Sequence, residues 1–391
     1  MKKIAVITTT RAEYGLLSPV IKELRKQEKN NLLKIDLVVS GTHLSEKYGM
    51  TINEIREQGV RVDHEIFVSV NSMSAQDISN NQAEILIEFT KLFSKEAYNA
   101  VILLGDRYET LAEAIAASNT QTPIFHIAGG DVTEGAIDDC IRHSVTKMSY
   151  LHFTTNEDSR RRVIQLGEAP ERVFNYGSTC IDNAKNILIK TKKEALDSVA
   201  LKYCDYALCT YHPVTLENSD NLEFKINEFL NAIKNFPDIE FIITKSNADQ
   251  GGALINYLLD KAAKNITNIH VFSSLGVKRY MSLMKYAEFV LGNSSSGIVE
   301  TPFFKVPTVN IGDRQRGRLQ AKSIINCNSD TKSITEAIKY ALSNEMKEKC
   351  KNVVSLYGDG NSAMQISKKI LEVINSDIDL KKKFYNIEVN I

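Results

Sequence analysis

The chain lacks the features that would direct it to nucleic acid or to a membrane. It has no net charge, because 48 lysines and arginines balance 48 aspartates and glutamates over 391 residues. A neutral surface gives no general attraction to nucleic acid or anionic lipid. No apolar run approaches membrane-spanning length, and the first, Ile4 to Ile7, ends in polar Thr8–Thr10 as a strand would, not a signal peptide. We therefore expect a cytoplasmic protein with no nucleic-acid partner and no membrane association.

Cysteine is also sparse, and its spacing excludes the common cysteine-based sites. None of the six cysteines forms a CxxC pair, and a disulfide framework is unusual in a chain of this size. Free thiols in a reducing compartment are the favoured interpretation. Histidine spacing of the HxxxH or HExxH kind is absent as well, so we expect no metal site.

Short β-branched runs alternate with amphipathic helical patterns, and the alternation restarts after residue 205. The runs are nearly continuous in apolar residues, which is typical of strands buried on both faces of a parallel sheet. The pattern predicts an α/β fold of two Rossmann-like, doubly wound domains. The predicted strands are IAVITT (4–9), KIDLVVSG (34–41), AVILLG (100–105), PIFHIAGG (123–130), LHFTTN (151–156), DYALCTYH (205–212), IEFIITKS (239–246), NIHVFSS (268–274), AEFVLGN (287–293) and PTVNIG (307–312).

A charged helical sequence near residues 180–200 separates the two sets of strands. We therefore predict an N-terminal domain over 1–184 and a C-terminal domain over 185–365. The last helix, predicted over 366–391, would cross back onto the first domain. Two such domains facing each other would place a ligand in a central cleft at the carboxyl ends of their strands.

The segment GNSSSGIVE (292–300) follows a predicted strand and opens a predicted helix. Backbone N–H groups and hydroxyls at a helix N-terminus can bind an anion, so Ser294 and Ser295 are candidate phosphate contacts. An ordinary serine N-cap would look the same. Glu300 could accept the two hydroxyls of a ribose, as acidic residues do in dinucleotide folds, or simply compensate the helix dipole.

Arginines follow two other predicted strands. GDRQRGR (312–318) carries three, and Arg314 is nearest the strand end and best placed for a diphosphate. Arg11, in TTTRAEYG, follows the first strand of the other domain. One arginine from each domain could hold a single diphosphate. A surface ion pair between Arg11 and Glu13 is the simpler alternative.

Polar side chains after two more strands are candidates for the nucleotide side of a site. His212 lies directly after a strand and before a proline, in TYHPVT. Asn247, in SNADQGG, could bind sugar or phosphate hydroxyls, although a glycine-rich turn would explain the same sequence.

Acidic residues gather after the third and fourth predicted strands of the first half. LGDRYE places Asp106 beside Arg107, which would keep the acid ionised, as a base must be. In IDDCIRHS, helical spacing pairs Asp138 with Arg142, and Asp139 with His143. These residues could decorate a helix or form an acid–base network. Arg142 and Lys147 oppose a cation here, which again argues against a metal.

Taken together, these motifs resemble the hydrolysing UDP-N-acetylglucosamine 2-epimerases of bacterial sialic-acid and legionaminic-acid synthesis. The resemblance spans essentially the whole chain and implies two Rossmann-like domains in the glycosyltransferase-B arrangement. It further implies a UDP-sugar substrate, no cofactor, and assembly as a dimer or tetramer. The matching segments, in order, are TRAEYG, SGTHLSEKYG, GDRYE, IDDCIRHSVTKMS, HPVT, SNAD, GNSSSG, NIGDRQRGR and YGDGNS.

The resemblance implies a role for each candidate residue. The nucleotide-binding positions are Arg11, Arg107, His212, Asn247, Ser294, Ser295, Glu300 and Arg314. His43 matches the histidine of a GxHL loop and is assigned to substrate binding. Asp106 and Arg142 match the catalytic region, to which we also assign Asp131, Asp138 and His212. Some relatives carry a catalytic glutamate where this chain has Ala128, so Asp106, Asp131 and Asp138 stay open as the acid–base.

The implied reaction converts UDP-N-acetylglucosamine and water to N-acetylmannosamine and UDP. Four alternatives stay open from the sequence. They are the same reaction on a 2,4-diacetamido-2,4,6-trideoxy sugar, the non-hydrolysing epimerisation, a glycosyltransferase of the same fold, and a non-catalytic sugar-nucleotide sensor.

Overall fold

The computed structural model describes residues 1–70, 74–132, 137–186, 189, 191–213, 222–246 and 252–388. The chain divides into two compact units. Unit 1 comprises Met1–Asn183 and Gly358–Ile391, and unit 2 comprises Ala184–Tyr357. The return to unit 1 therefore begins at Gly358, before the residue 366 expected from the sequence.

Unit 1 is built on a parallel sheet of seven strands in the order β3-β2-β1-β4-β5-β6-β7. The central strands are buried along nearly their whole length, which explains their continuous apolar sequences. The strands are β1 (Lys3–Thr8), β2 (Lys34–Ser40), β3 (His64–Ile66), β4 (Ala100–Leu104), β5 (Ile124–Ile127), β6 (Leu151–Thr154) and β7 (Val173–Asn175).

Helices cover both faces of this sheet, and two separate apolar cores result. The final helix, α16 (Ser362–Ile374), packs its buried residues into one of these cores against α1. The other helices of unit 1 are α1 (Arg11–Lys29), α2 (Ile52–Glu57), α3 (Ala75–Glu96), α4 (Tyr108–Asn119), α5 (Ile137–Met148), α6 (Glu157–Gln165) and α7 (Thr179–Asn186), which runs into the unit boundary, with 3₁₀ turns at Gly41–Leu44, Glu46–Tyr48 and Pro170–Arg172.

The predicted helix over 366–391 was wrong in extent. Helix α16 ends at Ile374, and residues 375–388 have no regular secondary structure. The apolar periodicity that supports a helix ends there, because the sequence beyond is SDIDLKKKFYN. This tail instead contacts unit 1 through single side chains, including Lys382 on the buried Glu168.

Unit 2 repeats the same topology in a parallel sheet of six strands, ordered β10-β9-β8-β11-β12-β13. Apolar cores again lie on two faces of the sheet. The strands are β8 (Tyr206–Thr210), β9 (Glu240–Thr244), β10 (Ile269–Phe272), β11 (Phe289–Gly292), β12 (Thr308–Ile311) and β13 (Ile324–Cys327). The helices are α8 (Lys192–Asp197), α9 (Leu222–Lys234), α10 (Gly252–Ala263), α11 (Gly276–Tyr286), α12 (Ser296–Val299), α13 (Thr301–Phe304), α14 (Thr331–Leu342) and α15 (Asn344–Lys351).

Strand order reverses once in each unit, between β1 and β4 and between β8 and β11. The predicted fold class, two doubly wound parallel α/β domains, is confirmed. The ten predicted strands are present, whereas three of the four edge strands, β3, β7 and β13, were missed. Across the described residues, no helix has the length and apolar character needed to cross a bilayer.

Candidate active site

Arg142 organises the acidic residues at the carboxyl edge of the unit 1 sheet. Its side chain is only 5% exposed and forms ion pairs with Asp106, at the end of β4, and with Asp139 at 3.3 Å. It also donates to the Asp131 carbonyl at 2.7 Å. Three segments, those after β4 and β5 and helix α5, thus meet at one guanidinium. Helical spacing had predicted Asp138 as the ion-pair partner of Arg142. In the structure, the ion-pair partners of Arg142 are Asp106 and Asp139.

Asp138 lies close to the carboxylates that pair with Arg142 and has a raised pKa. It is half-buried on the first turn of α5, and burial raises its pKa, with the charge of Asp106 raising it further. A carboxyl with a raised pKa can take up and return a proton nearer to neutral pH. The neighbouring pair predicted on this helix is present, since His143 Nε2 lies 3.4 Å from Asp139 Oδ2.

Asp131 is held as part of the framework. Its Oδ1 accepts hydrogen bonds from Thr155 at 2.7 Å, Ser159 at 2.5 Å and Asn156 at 3.4 Å. All three donors converge on one carboxylate oxygen, which leaves that oxygen poorly placed for proton transfer. Asp131 therefore connects the loop after β5 to the start of α6, and its contacts differ from those of Asp106 and Asp138.

The guanidinium of Arg107 is paired with a buried carboxylate, that of Glu109. Its Nε and Nη2 bind both carboxylate oxygens of Glu109, at 3.1 and 3.0 Å, and Glu109 is buried. Glu113, one turn further along α4, is buried too. Burial raises its pKa well above the usual value, and the charges of Glu13 and Glu109 add to that rise. Arg107 thus lies in a group of three buried carboxyls.

The carboxylate of Glu13 forms hydrogen bonds to the loop after β1, a role that was not predicted for this residue. Glu13 is buried and accepts from the Thr9 amide, the Thr9 hydroxyl and the Thr10 amide, at 2.8, 2.6 and 3.0 Å. The spacing Thr10-x-x-Glu13 is a capping box, which was a readable signal for this role. Arg11 is 60% exposed and forms a surface ion pair with Glu54 at 3.1 Å, not with Glu13 as the alternative interpretation had it.

Two buried histidines support the same edge. His126 Nε2 lies 2.8 Å from the Gly105 carbonyl, and burial lowers its pKa to about 3, so a neutral ring donates to the residue before Asp106. His43 was expected to bind substrate. Its ring is 1% exposed, with nitrogens 3.1 Å from the Thr8 hydroxyl and 2.7 Å from the Thr51 hydroxyl. This placement favours support of the β1 loop over direct contact with a ligand.

In unit 2, the loops that follow β8, β11 and β12 meet at Asn293. Its side-chain amide bonds the backbone of His212 twice, at 2.7 and 2.8 Å. Its carbonyl accepts from Arg314 at 3.1 Å and from Gln315 at 2.9 Å. The predicted residues His212 and Arg314 are therefore brought to one place. Asn293 and Gln315 were not among the predicted site residues, although both lie within the quoted motifs.

The serine loop has a shorter helix behind it than the sequence suggested. Ser294 and Ser295 are half-buried at the start of α12, which has only four residues, and Glu300 lies between α12 and α13. Two short helices have little combined dipole, so an anion here would depend on hydroxyls, amides and Arg314.

Asn247, the remaining predicted nucleotide contact, lies outside the described residues.

One cluster of possible metal ligands occurs in the described part of the chain, formed by Asp36, His64 and Glu96. The ammonium of Lys3 already lies 2.7 Å from Asp36 and 2.6 Å from Glu96. A divalent cation would be repelled by that charge, so the cluster fits an ordinary ion-pair network at the opposite end of β1.

The family model for UDP-N-acetylglucosamine 2-epimerase matches residues 25–371 of this sequence. The chain belongs to that family. A Campylobacter jejuni GDP/UDP-N,N'-diacetylbacillosamine 2-epimerase (hydrolyzing) is 37% identical over 99% of both chains. The Escherichia coli polysialic acid biosynthesis protein P7 is 35% identical over 99% of this chain and 98% of its own.

Solved structures agree with this placement in the 2-epimerase family at the level of the fold. The crystal structure of the UDP-GlcNAc 2-epimerase from Neisseria meningitidis, bound to UDP-GlcNAc, superimposes with a TM-score of 0.79 at 19% identity, covering 95% of this chain and all (100%) of the other. The resemblance inferred from the motifs is confirmed, and the protein is an enzyme of the UDP-sugar 2-epimerase kind.

Proposed function

We propose that this epimerase hydrolyses UDP-N-acetylglucosamine to N-acetylmannosamine and UDP, with inversion at C2 of the sugar. The observation that supports this reaction best is the carboxylate set of unit 1, in which Asp106 and Asp139 share the buried Arg142 while Asp138 carries a raised pKa. A simple binding module would not need a carboxyl with a raised pKa beside carboxylates that pair with a buried arginine.

The chemistry requires such a set. The C2 proton of the sugar is not adjacent to a carbonyl, so direct removal is unfavourable. When the bond from C1 to UDP breaks, C1 becomes electron-poor, and loss of the C2 proton to a base forms the C1–C2 double bond of a 2-acetamidoglucal. Water then adds its oxygen to C1, and a proton is delivered to C2 from the opposite face. UDP leaves with the electrons of the broken bond, and the products balance substrate plus water.

We assign the C2 proton to Asp138 because its pKa is raised and because it is only half-buried on α5. Asp106, which pairs with the buried Arg142, stabilises positive charge at C1. Asp131 keeps the loop after β5 in place. These roles also explain how the chain manages with Ala128 where some relatives carry glutamate.

The UDP part is assigned to unit 2. Arg314 and the amides and hydroxyls of Ser294 and Ser295 would receive the diphosphate, and Glu300 the ribose. His212, at the end of β8, would contact the leaving group. Arg11, Arg107 and Asn247 stay in the proposed nucleotide contacts, with Arg11 the most exposed of the described ones.

The proposal is tested by incubating the pure protein with UDP-N-acetylglucosamine in deuterated water, without acceptor or added metal, and following products by NMR. We expect free N-acetylmannosamine carrying deuterium at C2, together with UDP. Formation of UDP-N-acetylmannosamine would indicate the non-hydrolysing reaction. A requirement for an acceptor would indicate a glycosyltransferase, and binding without turnover would indicate a sensor.

A second substrate has specific support. The relative that is 37% identical over the full length is named for diacetylbacillosamine, a sugar that carries a second acetamido group. The same NMR experiment with UDP-2,4-diacetamido-2,4,6-trideoxyglucose separates the two substrates. Turnover of this sugar, with UDP-N-acetylglucosamine left unchanged, would overturn the first assignment while keeping the reaction type. Assembly as a dimer or tetramer is a further prediction, which light scattering after gel filtration measures.

A further inference from the structure

Asn293 lies where the strand order of unit 2 reverses. Strands β8 and β11 are neighbours in register, with Thr210 opposite Gly292, and the strand order of the sheet reverses between them. In α/β folds such a reversal leaves a crevice at the carboxyl ends of the two strands, in which ligands commonly bind. A contact across that point would fix the distance between the segments that follow the two strands.

Gly292 allows the close approach that makes this contact possible. Its φ is +137°, and a Cβ placed there would lie 2.0 Å from the Thr210 carbonyl oxygen. A residue with a side chain cannot occupy such a position without displacing the strand. The following residue, Asn293, is consequently 1% exposed and close to the chain that leaves β8.

The side chain of Asn293 forms two hydrogen bonds across this point. Its Oδ1 accepts from the His212 amide at 2.7 Å, and its Nδ2 donates to the His212 carbonyl at 2.8 Å. Both bonds are buried, and both fall on a single residue of the neighbouring loop. The pair therefore fixes the backbone of His212 in position and in orientation.

The backbone carbonyl of Asn293 forms hydrogen bonds to a third loop, the one after β12. It accepts from Arg314 Nη1 at 3.1 Å and from the buried Gln315 Nε2 at 2.9 Å. Four hydrogen bonds thus connect one residue to the loops after β8 and β12. Losing a buried bond costs more than its net contribution when the partner is left unsatisfied.

We infer that Asn293 is a positioning residue that holds the His212 and Arg314 loops in the arrangement that receives a nucleoside diphosphate, with Gln315 supporting it. This inference rests on the proposed assignment of UDP to unit 2. It does not depend on the sugar chemistry of unit 1, and Asn293 itself needs no contact with the ligand.

The chain offers a matched control in Asn268. It is also buried in unit 2, and its Nδ2 donates to two backbone carbonyls, those of Phe236 at 3.0 Å and Ile239 at 2.8 Å. Asn268 directly precedes β10, at the amino end of the sheet, where no site residue was assigned. Asn293→Asp and Asn268→Asp each replace a donating amide by a carboxylate oxygen facing a carbonyl.

The test measures UDP affinity by isothermal titration calorimetry and stability by urea unfolding in both variants. Both are expected to lose stability, whereas only Asn293→Asp should weaken UDP binding, by about tenfold or more. The milder Gln315→Met, which removes one bond, should weaken it about two- to threefold. For turnover, the KM of Asn293→Asp should rise by a larger factor than kcat falls.

Wild-type UDP affinity in Asn293→Asp would overturn the inference. An equal loss of UDP affinity in Asn293→Asp and Asn268→Asp would also overturn it. If Asn293→Asp fails to fold, Gln315→Met decides, and wild-type affinity in that variant would overturn it. Wild-type protein that binds UDP but turns over neither sugar would contradict the proposed reaction and leave this inference standing. Absence of UDP binding by the wild type would overturn both.

Discussion

The two units share one sheet topology but differ in what connects their strand ends. In unit 1 the groups at the switch point and beside it are ionic, with Arg107 on Glu109 and Arg142 on Asp106. In unit 2 the corresponding place is connected by the neutral amide of Asn293, with Arg314 added from the next loop. The fold fixes where a site lies, and under the proposed function the loop residues make unit 1 suited to proton exchange and unit 2 to anion binding.

The comparison is tested most severely by Asp106→Asn. If unit 1 carries the chemistry, this variant should lose about 10³-fold or more in kcat, since the carboxylate proposed to stabilise charge at C1 is removed, while UDP affinity changes little. Steady-state assays and calorimetry with UDP measure the two quantities.

Asp139→Asn is the matched control, because Asp139 also pairs with Arg142. Its loss of kcat should be smaller than that of Asp106→Asn. Wild-type kcat in Asp106→Asn would remove that residue from the mechanism.

Asp138→Asn should reduce kcat by about 10²- to 10³-fold through loss of the proton carrier. The wild-type pH profile supplies a second measurement. Burial and the Asp106 charge raise the pKa of Asp138, and a base must be ionised to act. The rate should therefore fall with decreasing pH through a value above the ordinary aspartate pKa of 3.8. An unchanged kcat in Asp138→Asn, or a profile flat down to the ordinary aspartate pKa, would contradict the assignment.

Glu168→Gln tests whether ionic groups also stabilise unit 1. Burial raises the pKa of Glu168, but hydrogen bonds from His152, Lys147 and Lys382 outweigh it and lower the pKa to about 2. A carboxyl with a lowered pKa contributes stability above its unfolded pKa, and that stability is lost as pH falls from about 4.5 towards 2. The variant should lose ~3 kcal/mol of unfolding free energy at pH 7, measured in urea.

The loss in Glu168→Gln should shrink as pH is lowered, because the wild type then also loses its carboxylate. Lys369→Met serves as a comparison, since Lys369 pairs with the exposed Glu372 and little stability depends on such a pair. A pH-independent difference between wild type and Glu168→Gln would contradict the ionic explanation.

Gly292→Ala should destabilise unit 2 by ~2 kcal/mol or more, because its Cβ would meet the Thr210 carbonyl at 2.0 Å. Gly15→Ala is the control. It lies within α1 with nothing within 4 Å of the added Cβ, so alanine should be neutral or stabilising there by up to ~1 kcal/mol. Thermal and urea unfolding measure both, and equal effects would refute the close-approach argument.

The smallest effect is expected from Arg11→Ala. Arg11 and Glu54 are 60% and 46% exposed, so the free energy of unfolding should change by less than ~1 kcal/mol. UDP affinity should fall by a few-fold, about the contribution of one exposed charge, and the difference should shrink at high salt. Glu54→Gln keeps the arginine and should leave UDP affinity unweakened. Equal affinities in Arg11→Ala and wild type would remove Arg11 from the proposed contacts.

Local sequence pattern was sufficient for most of the framework. Continuous apolar runs located the central strands. The edge strands β3, β7 and β13 escaped because a strand with a neighbour on one side only is less buried and needs a less continuous apolar run. The motifs at strand ends identified the loops that hold Asp106, His212 and Arg314. Helical spacing also gave the pair of Asp139 and His143 correctly.

Contacts between segments distant in the chain could not be read in the same way. Helical spacing limited Arg142 to partners on its own helix, yet the strand order brings Asp106 to it from 36 residues away. The extended tail places Lys382 on Glu168, 214 residues earlier. Neither contact leaves a periodic signal, because each depends on how strands and loops pack rather than on local spacing.

The sequence by itself determined two doubly wound sheets and the list of residues at their strand ends, since hydrophobic periodicity follows directly from strand and helix geometry. Only the tertiary structure decided the surroundings of each of those residues. Folding raised the pKa of Asp138 and buried His43. It also gave Asp131 its hydrogen-bond donors and connected the loops after β8 and β12 through Asn293. Burial and pairing set these properties, and both come into existence only when the chain has folded.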